Sequence, residues 1–96
     1  MSSRYRVGII GCGVIAKHHA NGYLSVPGME IVAAAEVREE ISQEFKKTFS
    51  VPAMYLDAEE MLQKESLDVV SICTWHLLHA PQTVLATEHS VKAVLL

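Results

Sequence analysis

The sequence predicts a three-layer α/β domain: a doubly wound parallel sheet of about five strands in the order 3-2-1-4-5, with helices on both faces. Three observations lead there. Short apolar runs alternate with segments of helical length along the whole chain. Several of these runs are apolar at nearly every position, the mark of strands covered on both sides. A glycine-rich turn, Gly11-Cys12-Gly13, joins the first run to the first helical segment.

Arg6–Ile10 (RVGII) is the first strand, β-branched and ended by Gly11. Val14–Leu24 has helical length, and Pro27-Gly28 stops it. Met29–Val37 (MEIVAAAEV) is the second strand, its alanines leaving room for close packing. Glu39–Phe49 is a helix with Ile41, Phe45 and Phe49 on one face and Glu39, Glu40, Lys46 and Lys47 largely outside. Val51–Tyr55 is a short third strand that Pro52 places at an edge or a strand start. Asp57 opens the next helix in a capping arrangement with Glu60, turning Met61 and Leu62 inward. Leu67–Cys73 (LDVVSIC) is the fourth strand, and Pro81 suits the first turn of a helix reaching about Glu88. Ala93–Leu96 begins a fifth strand.

Ninety-six residues suit one domain, residues 1–96, and a composition half apolar and one-fifth charged is globular. A net charge of −3 without a basic face argues against nucleic-acid binding. Arg4 and Arg6 before Val7–Ala16 outline a signal peptide, but three glycines inside so short a stretch speak against one. The stretch is also far below the ~20 residues that span a bilayer, so no membrane partner is expected. Cys12 and Cys73 lack any CxxC spacing and sit in apolar runs, which suits a reducing, cytoplasmic setting and packing as small hydrophobes. His18 and His19 are adjacent, and His76 and His79 have no third ligand in view, so no metal site is expected.

In a doubly wound sheet, ligands bind beyond the carboxyl ends of the strands where the order reverses. That places the candidate site at Gly11–Ile15, Glu36–Arg38 and Cys73–His79. Gly11-Cys12-Gly13-Val14-Ile15-Ala16 fits G-x-G-x-x-G/A between a strand and a helix. Gly11 permits the tight turn, Gly13 lets backbone approach a pyrophosphate, and the free N–H groups near Gly13, Val14 and Ile15 face the anion. Glu36 ends the second strand 25 positions after Gly11, where a carboxylate accepts the ribose hydroxyls of NAD and repels the 2′-phosphate of NADP. NAD is therefore favoured over NADP. Arg38 keeps three readings: a stack on adenine, a contact to a 2′-phosphate, or an ordinary exposed charge.

These residues carry a resemblance. Residues 7–19 (VGIIGCGVIAKHH), 31–36 (IVAAAE), the turn Val51-Pro52-Ala53, and 68–79 (DVVSIC-T-x-x-x-x-H) are similar to the amino-terminal half of the Gfo/Idh/MocA (glucose–fructose oxidoreductase/inositol dehydrogenase) family. The resemblance implies a Rossmann-like domain in which Cys73, Thr74, Trp75, His76 and His79 lie along the nicotinamide riboside. Trp75 and His76 depart from the family's usual Pro and Asn or Ser, so Trp75 either offers a face to the cofactor or covers the sheet. The family's E-K-P motif with its catalytic lysine would follow the fifth strand, and Lys92 lies ahead of that strand, so no catalytic residue is assigned. The implied parent moves a hydride between nicotinamide and a sugar, cyclitol or polyol carbinol, with its substrate domain beyond these residues. Rivals are a non-catalytic dinucleotide-sensing module and a domain for another nucleotide ligand such as S-adenosylmethionine. The apolar Ala93–Leu96 strand, unguarded by charge or proline, implies self-association.

Overall fold

Side chains along a strand alternate between the two faces of a sheet, so the first apolar run divides itself between two cores. The computed structural model describes residues 4–74 and 78–96. In β1 (Tyr5–Ile10), Val7 and Ile9 enter one core and Ile10 the other. The chain continues through α1 (Val14–Leu24), β2 (Met29–Ala35), α2 (Glu39–Phe49), β3 (Ala53–Tyr55), α3 (Ala58–Lys64), β4 (Val69–Ile72), α4 (His79–Glu88) and β5 (Ala93–Leu95). All pairings are parallel, and the strand order is β3-β2-β1-β4-β5, as the alternation predicts.

One core packs Ala16, Ala20 and Tyr23 of α1 and Phe45 of α2 against Val7, Ile9, Ile31 and Ala34. The other packs Met61 and Leu62 of α3 and Ala86 of α4 against Ile10, Val32, Ala33, Val70 and Ile72. Three layers result. The alanines of β2 are almost completely buried, and their small side chains let helices approach the sheet from both sides. In α2, Phe45 is buried and its ring lies 4.7 Å from that of Phe49, so the inward face is the one the four-residue spacing indicates.

Several boundaries differ from expectation. β2 ends at Ala35 rather than Val37, although the Glu36 N–H still donates to the Tyr55 carbonyl (2.9 Å). β3 begins at Ala53, after Pro52, which lacks a backbone donor. β4 is shorter than Leu67–Cys73, yet the Cys73 N–H continues its ladder to the Ile10 carbonyl (2.7 Å). Asp57 sits at the N-cap of α3, but its side chain makes no capping bond; the Asp57 carbonyl instead accepts the Met61 N–H (3.1 Å). α4 starts at His79, with Pro81 inside its first turn.

A polar group lies between α1 and β4. Ser71 is fully buried, and its Oγ meets the Tyr23 hydroxyl at 2.6 Å and His19 Nδ1 at 2.8 Å. A strand-interior serine thus satisfies two α1 side chains, and the His19 ring is tied to the sheet.

Candidate functional site

The sheet brings the carboxyl ends of β1, β2 and β4 together, which sets the site. The Gly11 N–H donates to the Ala35 carbonyl (2.8 Å), holding the turn onto β2. Gly11 has φ +86°, and a Cβ there would lie 2.9 Å from Thr74 Cγ2 and 3.0 Å from the Cys73 carbonyl carbon. Both the conformation and the close approach require glycine. Gly13 differs: an added Cβ would meet only Arg38 Nη2, at 3.8 Å. The space over Gly13 is open. Gly13 also caps α1 without a side-chain bond, and the first turn of α1 holds no acidic residue. The positive helix end is therefore available to an anion.

Glu36 is the buried charge of the site, 5% exposed. Its Oε1 accepts the Cys12 N–H (2.9 Å) and Arg38 Nη2–H (3.2 Å); its Oε2 accepts the Arg38 N–H and Nε–H, both at 2.9 Å. Burial pushes its carboxyl up, but the Arg38 guanidinium and the two backbone N–H groups overcome this and hold it at about 2. The role of Arg38 in this structure is thus one the sequence reading did not contain: a partner of Glu36.

Gly11, Gly13, Val14, Ile15, Glu36, Val37, Arg38, Cys73, Thr74 and Leu78 line a cleft of about 580 Å³. A smaller hollow of about 190 Å³ shares Gly11, Glu36, Val37, Thr74 and Leu78 with it and reaches Asp57 and Gln82. Val14, Ile15, Val37 and Leu78 leave apolar surface exposed around the opening. An open glycine loop, an uncapped helix end, an acidic strand end and an apolar rim fit an adenine dinucleotide.

The candidate residues fall into groups. Gly11, Gly13, Val14, Ile15, Glu36, Arg38, Cys73 and Thr74 converge on the cleft. Cys12 contributes its backbone N–H, while its side chain packs in the core and burial, helped by the Glu36 charge, pushes the thiol up to about 12. Cys73 is half-buried, free like Cys12, and pushed up to about 11 by burial. His79 does not line the cleft; its Nε2 bonds the Thr74 carbonyl (2.9 Å) and braces the strand end. Trp75 and His76 lie outside the described residues. Val37 and Leu78 fall within the segments the sequence pointed to, while Gln82 lies beyond them. Gln82 Oε1 accepts the Thr74 hydroxyl, and its signal was the four-residue helical spacing from Leu78. Among the described residues, no three His, Cys, Asp or Glu side chains form a metal-ligand cluster, and no helix is long and apolar enough to cross a membrane.

Fold and cleft together define a dinucleotide-binding Rossmann domain whose cleft lies at the reversal between β1 and β4. The chain belongs to the Gfo/Idh/MocA family, described as an oxidoreductase family with an NAD-binding Rossmann fold, which matches residues 5–96. It is 32% identical over 91 residues to the D-apiose dehydrogenase of Paraburkholderia graminis, covering 95% of this chain and 24% of that protein. It is 34% identical over 88 residues to the D-glucoside 3-dehydrogenase of Escherichia coli, covering 91% and 25%. Its fold is similar to that of an Agrobacterium radiobacter oxidoreductase solved with NAD+, L-tartaric acid and magnesium: TM-score 0.90 at 24% identity, over 97% of this chain and 27% of that one. The chain spans about a quarter of the length of the relatives it matches.

Proposed function

We propose that residues 1–96 form the cofactor-holding domain of a dehydrogenase that oxidises or reduces a sugar, cyclitol or related polyol carbinol, with NAD preferred to NADP. The observation that carries this is the buried Glu36 carboxylate beside the open Gly13 turn, on the rim of one cleft. In this reading the α1 N-terminus and the turn hold the pyrophosphate, and Glu36 takes the adenosine ribose. Val37 and Leu78 cover apolar parts of the cofactor, and Thr74, braced by His79, approaches its nicotinamide end. NAD bound there would supply the hydride acceptor; the protein supplies place and orientation. Neither Glu36, at about 2, nor Cys73, at about 11, is poised for proton transfer near neutrality. The reading extends to a cytoplasmic location, in keeping with two free cysteines.

Calorimetric titration tests the cofactor assignment. NAD should bind more tightly than NADP, and Glu36→Ala should narrow the gap by weakening NAD. Equal affinities in the parent chain would remove Glu36 from the ribose.

A further inference from the structure

The Glu36 carboxylate is already full. Each carboxylate oxygen offers two lone pairs, and four donors occupy them: the N–H groups of Cys12 and Arg38, and Nε–H and Nη2–H of the Arg38 guanidinium. The two backbone donors are fixed by the glycine turn and the start of α2. The two guanidinium donors are not, because the Arg38 side chain is 60% exposed while that of Glu36 is 4% exposed. A ribose diol would bring two new donors to the same two oxygens. Only one pair of acceptor positions can be vacated without unfolding the turn, and Arg38 holds it.

We propose that Arg38 is a latch on Glu36: its guanidinium occupies the acceptor positions that a ribose diol needs, and it must swing away before the diol can bind. The proposal rests on the ribose reading of Glu36 given above. It makes Arg38 a positioning residue that sets the strength of diol recognition. The apparent affinity for a diol is its intrinsic affinity multiplied by the fraction of molecules with the latch open. Removing the guanidinium also leaves a buried carboxylate short of donors in the free protein, and an arriving diol relieves that. An ion pair with one exposed partner is modest, so the latch should depress diol affinity by roughly two- to fivefold.

ADP and 2′-deoxy-ADP isolate this effect, because they share adenine and pyrophosphate and differ in the diol. The readout is the ratio of their dissociation constants, measured calorimetrically on the full chain. In Arg38→Met the preference for ADP over 2′-deoxy-ADP should exceed that of the parent by roughly two- to fivefold. Adding Glu36→Gln to Arg38→Met should bring the ratio back toward one. A diol preference that Arg38→Met leaves unchanged or reduces, but that Glu36→Gln abolishes, overturns the latch and leaves the ribose reading standing. A ratio of one in both parent and Arg38→Met overturns both. The parent-to-Arg38→Met comparison does not depend on how well the buried Glu36 variant folds.

Discussion

Replacing Gly11 by alanine should damage the fold, and the structure says by how much. At φ +86° a non-glycine residue meets its own backbone, a strain of roughly 1–2 kcal/mol. The new Cβ would also lie 3.0 and 3.1 Å from the carbonyl carbon and oxygen of Cys73. Cys73 cannot easily retreat, because the peptide unit just before that carbonyl is tied to the sheet: the Cys73 N–H donates to the Ile10 carbonyl at 2.7 Å. Overpacking against such a neighbour costs about 1–3 kcal/mol. The sum, roughly 2–5 kcal/mol, is a large share of the ~5–15 kcal/mol typical of a whole domain. Urea denaturation followed by circular dichroism should show it: with a slope near ~1 kcal/mol/M, the midpoint falls by about 2 M or more. Gly13→Ala is the matched control. Its Cβ would meet one flexible atom at 3.8 Å, so stability should hold within about 0.5 kcal/mol while nucleotide affinity drops. A Gly11→Ala midpoint equal to the parent's would refute the argument that the turn is sterically closed.

Titration of Glu36 gives a pH dependence of definite sign. Its folded pKa of about 2 lies below the ordinary 4.5, so its stabilising contribution is complete above pH 4.5 and is lost as pH falls toward 2. Urea midpoints should decline across that window, and Glu36→Gln should decline less. The cysteine thiols should resist alkylation: at pH 8, iodoacetamide should label Cys73 before Cys12, and both far more slowly than in urea, because Cys12 is more deeply buried and its thiol is pushed up to about 12. Equal labelling rates would contradict the packing of Cys12. At the edge of the sheet, Leu95 is 43% exposed on β5 and Leu96 lies beyond it, uncovered. Light scattering should find the chain associated at high micromolar concentration and closer to monomeric as Leu95→Lys; a parent that stays monomeric would oppose association through this strand.

Strand order and the two cores were legible because they follow from period and connection alone. Val7 and Ile9 against Ile10, or Ala33 against Ala34, must face opposite sides once the run is a strand. The glycine turn was legible because Gly11 and Gly13 are backbone requirements, and backbone requirements leave a mark in residue type. The Glu36–Arg38 pair was not. Two residues apart at a strand end, their side chains meet only after the chain turns into α2 and Arg38 takes the N-cap position. Asp57 failed as a capping side chain for a similar reason: the motif sets the N-cap position, but the rotamer decides the bond. Ser71, by contrast, left a usable sign, a lone hydroxyl inside an apolar run whose partners had to come from the helix above it.

The central claim is that an adenine dinucleotide lies across the Gly11–Ile15 turn. Proton–nitrogen correlation spectra of the chain during titration with NAD test it most directly, since each backbone amide reports separately. The account predicts shifts concentrated at Gly13, Val14 and Ile15, at Glu36, Val37 and Arg38, and at Cys73 and Thr74. Shifts gathered instead over the depression at the end of α2, around Lys46, Lys47 and Ser50, or no shifts at saturating NAD, would contradict it.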